Sequence, residues 1–297
     1  MRRPALLVLL ALLLVLLRGA AGCSRDEPRR APAGAGPAAP RVVTLMPSAT
    51  EVMAALGATS MLIGVDQYSE YPPEVQQLPK VGAFLTPNLE AIVRLRPSLV
   101  IVDDVHAPAA AALRDAGLET VACSLHALPD VKRALRTVGA RIGRAAEAEA
   151  VVREIDAALD AAAAHRPAKR PRVLAVIDRE DGGLGSLVAA GPGSWVDELL
   201  AVVGADNVML ASGVRYPKIS LEEVLRGAPD VILDLSYAAR SSVAPWRAVD
   251  VPATRTGRVL ELFRPYLVAP SPRVARAIAD LAQAIAAPAG AAATSGP

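Results

Sequence analysis

The feature that most narrows the fold of this chain is a pattern that occurs twice. Leu89-Glu90, six further residues, Pro97 and the apolar run Leu99-Val100-Ile101-Val102-Asp103 recur as Leu221-Glu222, six residues, Pro229 and Val231-Ile232-Leu233-Asp234. Upstream, Gly57-Ala58 and Gly204-Ala205 stand at matching places, where helical segments end. In each copy a helix is stopped ahead of a proline, and a short β-branched strand follows. Two copies of one helix–strand unit predict two α/β lobes. Helix-proline-strand junctions are common, so a coincidental match is the competing explanation.

From Arg41 onward, β-branched runs alternate with helical segments, the pattern of α/β layers with mostly parallel strands. Strands are predicted at 41–45, 62–66, 99–103 and 119–124, then at 172–178, 187–190, 230–236 and 258–263. Ser48 with Glu51, and Ser220 with Glu223, have the spacing of capping boxes at helix starts. Pro87-Asn88-Leu89-Glu90 opens another helix, and further helices fit 107–116, 194–203 and 271–286. Between the halves, apolar residues recur at helical spacing from Pro129 to His165, with a break at Gly139 and Gly143. Residues 145–165 alone make a helix of about 32 Å, long enough to run across both lobes. The expected fold is therefore two α/β lobes with mainly parallel sheets, joined by a long bridging α-helix. Such a joint is stiff and predicts a modest opening motion.

The ends of the chain differ from its body. Arg2 and Arg3 precede an apolar run from Pro4 to Leu17, which Arg18 ends. That run is short for a membrane-spanning helix, which needs about 20 residues, and suits a secretory signal. Ala20-Ala21-Gly22-Cys23 resembles the cleavage box of bacterial lipoproteins, which implies lipidation at Cys23; a plain signal peptide cut near Ala21 is the alternative. Residues 24–40 and the last ten residues, rich in Ala, Pro and Gly, cannot bury a core. The expected organisation is signal peptide 1–22, flexible tether 23–40, N-terminal lobe 41–128, helical connector 129–170, C-terminal lobe 171–287 and disordered tail 288–297. Only Cys123 remains in the body, so no internal disulfide is expected, and its apolar neighbours mark it as a small core residue. With 32 Lys plus Arg against 30 Asp plus Glu and no basic block in the body, a nucleic-acid surface is excluded.

RVVTLMPSATEVMAALGA, GVDQYSEYPPEVQQLPKVG and PNLEAIVRLRPSLVIV, followed by YPKISLEEVL and APSPRVARAI, carry a family resemblance. The chain resembles the periplasmic substrate-binding proteins of bacterial ABC importers, in the helical-backbone group that takes up cobalamin, siderophores and haem. It is most similar to the cobalamin-binding branch. The resemblance implies a ligand cleft between the lobes, walled by Tyr68, Phe84, Tyr216 and Tyr266. Flat aromatic faces suit a corrin disc edged with amides, and with aromatics only 3% of the chain, four at strand-to-helix junctions favour a binding wall over ordinary core positions. Trp246, in the loop Ala244-Pro245-Trp246, is a further candidate. The resemblance also implies that Glu90 and Glu222 dock on a membrane permease; the dipole of a helix's first turn is the simpler explanation for carboxylates there.

The sequence departs from the cobalamin branch after Val102, where Asp103-Asp104 replace an aromatic residue. Asp104 and His106 could contact a metal or a polar ligand edge, and His106 could be an axial ligand to a corrin or haem metal, although a loop histidine is more often solvent-facing. Arg215 could pair with a ligand carboxylate or phosphate, or stay solvated.

An enzyme needs a constellation, and GxSxG, HExxH, P-loop and CxxC motifs are all missing. Gly182-Gly183-Leu184-Gly185 lacks the order of a phosphate-binding loop. A secreted metal-dependent hydrolase built on Asp103, Asp104 and His106 would need further ligands, and a tethered scaffold without ligand would lack aromatics in its cleft. The expected function is a non-enzymatic, lipid-anchored receptor, exported and monomeric, that captures a corrinoid such as cobalamin and delivers it to an ABC importer permease. Haem or a ferric siderophore is the alternative ligand, and no cofactor or structural metal is expected.

Overall fold

The computed structural model describes residues 39–240 and 242–286; the segment 1–22, Cys23 and the tail 288–297 lie outside them. Among the described residues no helix is long and apolar enough to cross a membrane.

The N-terminal lobe contains, in chain order, β1 (Val42–Thr44), α1 (Pro47–Ala55), β2 (Leu62–Val65), a small hairpin of β3 (Gly82–Ala83) and β4 (Thr86–Pro87), α2 (Leu89–Leu95), β5 (Leu99–Val102), α3 (Ala107–Asp115) and β6 (Thr120–Ala122). The sheet runs in the order β2-β1-β5-β6, all parallel. The connector is a pair of helices, α4 (Leu128–Ile142) and α5 (Ala145–Ala164). Gly143 ends α4 in the left-handed conformation, and Gly139 lets α5 approach: a Cβ there would come within 2.8 Å of the Ala148 Cβ.

The C-terminal lobe follows with β7 (Arg172–Asp178), β8 (Leu187–Ala189), α6 (Trp195–Val202), β9 (Asp206–Asn207), β10 (Lys218–Ile219), α7 (Leu221–Gly227), β11 (Val231–Asp234), α8 (Pro252–Arg255), β12 (Val259–Glu261), α9 (Pro265–Val268) and α10 (Val274–Ala286). β9, β7, β11 and β12 are parallel, while β8 is antiparallel to β7 and β10 to β8. The parallel part repeats the N-terminal order β2-β1-β5-β6.

Atomic contacts repeat as well. Arg41 N–H donates to Ser98 Oγ (2.9 Å) and its guanidinium to Leu95 O at the end of α2 (2.8 Å). Arg172 N–H donates to Asp230 Oδ2 (3.0 Å) and its guanidinium to Gly227 O at the end of α7 (2.7 Å). Both helices then leave through a left-handed residue, Arg96 or Ala228, directly before the paired prolines. Each cation occupies the carbonyl end of its helix, where the dipole favours it.

Strand residues alternate between two apolar layers, as a sheet covered on both faces requires. Val42, Leu99, Ile101, Val173, Ala175, Val231 and Leu233 point into one continuous core shared with α1, α4, α5, α6 and α10. Val43, Val100 and Val102 point into an outer layer of the N-terminal lobe, and Leu174, Val176 and Ile232 into an outer layer of the C-terminal lobe. The lobes therefore share their inner core.

Two sequence expectations shift. Pro47 is the first residue of α1 and Met46 its cap, so Ser48 lies inside the helix and the Ser48–Glu51 capping box does not form; proline is preorganised for the first helical position and moves the start one residue earlier. The Ser220–Glu223 box forms as expected. Trp246, expected beside the ligand, is fully buried in the outer layer of the C-terminal lobe. Its indole N–H donates to Asp234 Oδ2 (2.8 Å), which also accepts from Arg179 Nε (2.7 Å). The Arg179 side chain is fully buried and donates further to Gly183 O (2.8 Å) and Ser242 O (2.6 Å), tying the loops after β7 and β11 together. Arg179→Met strips a buried carboxylate of its cation and is expected to cost about 3–5 kcal/mol, read as a lowered midpoint in urea unfolding.

Candidate ligand cleft

The C-terminal ends of parallel strands are where α/β proteins place ligands, and here the loops leaving the two sheets meet. Leu128 N–H, past the end of β6, donates to Glu198 Oε2 in the first turn of α6 (2.8 Å). Ser271 and Arg273, past the end of β12, bond to Glu51 of α1.

On the N-terminal side, Tyr68 projects from the loop after β2 and is 58% exposed. A chain of buried hydroxyls fixes that loop: Thr44 Oγ1 to Thr50 Oγ1 (2.6 Å), Thr50 Oγ1 to Ser69 Oγ (2.8 Å), and Ser69 Oγ donating to Asp66. Asp66 also accepts the Tyr68 N–H (2.9 Å). Burial pushes the Asp66 carboxyl up, against the opposing pull of these donors. Phe84 and the exposed Leu85 sit at the tip of the β3–β4 hairpin. Gly82 makes that hairpin possible, because its φ of 103° is a glycine conformation and a Cβ would strike Thr86 O at 2.6 Å.

His106 takes a role different from the expected one. It is buried, its Nδ1 accepts the Asp103 N–H (3.0 Å), and its Nε2–H donates to Phe84 O (2.5 Å). Its ring meets Phe84 edge to face at 5.0 Å. With both nitrogens engaged by backbone, His106 has no lone pair for a metal or ligand; it braces the Phe84 hairpin against the end of β5.

The histidine exposed beside Asp103-Asp104 is His126, which the sequence did not single out because nothing in its spacing relates it to them. It lies after β6, the strand next to β5, and its Nε2 is 3.2 Å from Asp104 Oδ1 and 4.0 Å from Asp103 Oδ1. The three residues offer donor atoms within 4.8 Å of one another. Burial pushes the Asp103 carboxyl up and the neighbouring Asp104 carboxylate adds to this, while hydrogen bonds from Asp103 and His126 hold Asp104 well below the usual carboxylate range. Cys123 is buried beside them, its thiol pushed up to about 12 by burial and by the charge of Asp103.

On the C-terminal side, Tyr216 is 43% exposed and its hydroxyl bonds to the Trp195 backbone at the start of α6; burial raises its pKa. Tyr266 is not a free wall. It is 3% exposed, its hydroxyl lies 2.5 Å from Asp280 Oδ2, and its ring is covered by the guanidinium groups of Arg273 and Arg276. A second surface aromatic on this side is Tyr237, 68% exposed after β11, which meets Phe263, after β12, edge to face at 5.6 Å. Tyr237 follows the expected strand 230–236 and Phe263 is the last residue of the expected strand 258–263, so their position at strand ends was the available signal. Arg215 is exposed beside Tyr216.

Glu90 and Glu222 lie in the first turns of α2 and α7. Their side chains are 85% and 80% exposed, and each accepts one Arg Nη2 at 2.7 Å, from Arg94 and Arg226 four residues on.

Two lobes on a shared helical spine, with aromatics at facing strand ends, define a bilobal solute-binding protein. The family model described as periplasmic binding protein matches residues 42–262, and the chain belongs to that family. Among relatives, it is 32% identical over 201 residues to the vitamin B12-binding protein of Salmonella choleraesuis (strain SC-B67), covering 66% of this chain and 72% of that one. Among solved structures, the periplasmic heme-binding protein RhuT from Roseiflexus sp. RS-1 superposes with a TM-score of 0.74 at 30% identity, over 83% of this chain and 98% of that one. The periplasmic vitamin B12 binding protein BtuF of Vibrio cholerae does so with a TM-score of 0.69 at 26% identity, over 82% and 96%.

His106→Ala is expected to lower stability by about 1–3 kcal/mol for each buried backbone group it leaves unpaired, measured by urea unfolding followed by circular dichroism. An unchanged midpoint would remove His106 from this bracing role.

Proposed function

We propose that the protein is a periplasmic receptor that captures a corrinoid between its lobes and hands it to an ABC importer permease. The observation that carries the ligand class is the mixture of surfaces at the strand ends. Tyr68, Phe84, Tyr216 and the Tyr237–Phe263 pair offer flat apolar faces, and Asp104 offers an exposed carboxylate among them. A corrin edge carries neutral amides, whose N–H groups donate to a carboxylate; a porphyrin edge carries carboxylates, which Asp104 repels. The names of the vitamin B12-binding relatives point the same way.

One observation favours haem. His126 turns Nε2 toward Asp104, and its Nδ1 has no hydrogen-bond partner among the described residues. A carboxylate behind one ring nitrogen orients the other as a metal ligand.

Calorimetric titration of the purified protein with cyanocobalamin and with haem separates the readings. One-to-one cyanocobalamin binding, weakened about tenfold or more (1.4 kcal/mol) by Tyr68→Ala or Tyr216→Ala, is the expected result. A haem complex whose absorption band shifts in His126→Ala would replace the corrinoid, and binding of neither would sink the receptor reading.

Family membership implies export to the periplasm. Anchoring by lipid at Cys23, a single copy as the working unit, and docking through Glu90 and Glu222 are parts of the proposal. The docking carboxylates sit at equivalent places in the two lobes, as contact with a two-fold permease demands. Glu90→Ala with Glu222→Ala is expected to leave ligand affinity within about twofold, since each side chain is exposed and pairs only with an arginine of its own helix, while abolishing ligand uptake by cells that carry the importer. Loss of ligand binding in the double variant would overturn this division.

A further inference from the structure

Glu51 has the spacing of a capping residue and does something else. Its carboxylate crosses to the C-terminal lobe, where it accepts Arg273 Nε at 2.9 Å, Arg273 Nη2 and Ser271 Oγ. Ser271 Oγ in turn accepts the Arg273 N–H at 3.1 Å, so the carboxylate, hydroxyl and guanidinium form one closed set. The Glu51 and Arg273 side chains are 9% and 18% exposed, and the fork is bidentate. The guanidinium lies 4.1 Å from the Tyr71 ring of the N-terminal lobe and 4.5 Å from the Tyr266 ring of the C-terminal lobe.

The two segments joined here carry the aromatic walls. Tyr71 ends the loop that bears Tyr68, whose other end is held by Asp66, Ser69 and Thr50. Arg273 ends the segment that starts at Phe263 and includes Tyr266. We infer that Arg273 is a positioning residue, which with Glu51 sets the separation of the Tyr68 loop from the Phe263 segment before any ligand arrives. This strut is independent of which ligand binds, and only its bearing on the cleft rests on the receptor reading above. It explains why Tyr266 is withdrawn from the cleft, since its ring and hydroxyl are committed to Arg273, Arg276 and Asp280.

The test is hydrogen–deuterium exchange of the purified full chain without ligand. Glu74 and Glu154 line the same cavity of about 330 Å³ beside Arg273, so Glu51→Gln leaves other carboxylates near the guanidinium, and Arg273→Met is made alongside it. Arg273→Met is expected to speed exchange about tenfold or more in residues 66–73 and 263–272 while leaving β1, β5, β7 and β11 as protected as before, the signature of a local opening. Glu51→Gln should raise the same two segments by a smaller factor, and the double variant should not exceed Arg273→Met, because both changes break one contact. Unchanged exchange at 66–73 in Arg273→Met, or an equal rise in all core strands, would overturn the assignment. Cyanocobalamin should dissociate about tenfold faster from Arg273→Met (1.4 kcal/mol if association is unchanged). A failure of both cyanocobalamin and haem to bind the unmodified protein would instead strike the receptor reading and leave the exchange result standing.

Discussion

A parallel sheet must be covered on both faces, and the helices that cover the inner faces of the two sheets of this protein pack into one continuous core. From that constraint the rest of the architecture follows. Because Val42 and Ile101 of one sheet and Val173 and Leu233 of the other press into one core with α1, α4, α5, α6 and α10, the lobes cannot swing apart without exposing apolar surface at about 25 cal/mol per Å². What remains open is the region past the strand ends, and there the loops carry the aromatics and the carboxylates. The Glu51–Arg273 contact sits at the boundary between the shared core and that open region.

The duplication of the lobes extends to their hydrogen bonds. Arg41 and Arg172 lead into equivalent strands and close the carbonyl ends of equivalent helices, and Glu90 and Glu222 make matching i,i+4 pairs in the first turns of those helices. The divergence lies in what was added. The C-terminal lobe inserts β8 and β10 and buries Arg179 with Asp234 and Trp246 to hold the longer loops. Its N-terminal counterpart keeps carboxylates at the end of β5 and leaves Asp104 with His126 at the surface. The polar groups exposed past the strand ends thus differ between the lobes, Asp104 and His126 in one and Arg215 in the other.

Most elements were legible in the sequence because each short strand is a β-branched run bounded by proline, glycine or a helix cap. β7 matches its expected bounds, and α5 ends one residue short of the expected helix. The brief pairings β3–β4, β9 and β10, two residues each, carry no period that a sequence could display. The candidate wall residues were legible as types and only partly as positions. Tyr68, Phe84 and Tyr216 stand at surface or half-buried places near the strand ends, whereas Trp246, Tyr266 and His106 turn inward, each bonded to a partner outside its own local element: Asp234, Asp280 and the Phe84 carbonyl.

By itself, the sequence determined the two-lobed α/β plan, the order of its elements, the duplication and the paired acidic residues at helix starts. These are consequences of local periodicity, proline stops and caps, which act within a few residues and so leave their record in spacing. Only the tertiary structure decided that Glu51 serves Arg273 instead of its own helix, that His126 and not His106 reaches the surface, and that Tyr237 replaces Tyr266 as the exposed ring. Each of these turns on which polar group finds a partner when residues between 14 and 222 positions apart are brought together. That competition has no local signature, because the cost of an unpaired buried group is incurred only once the chain has folded.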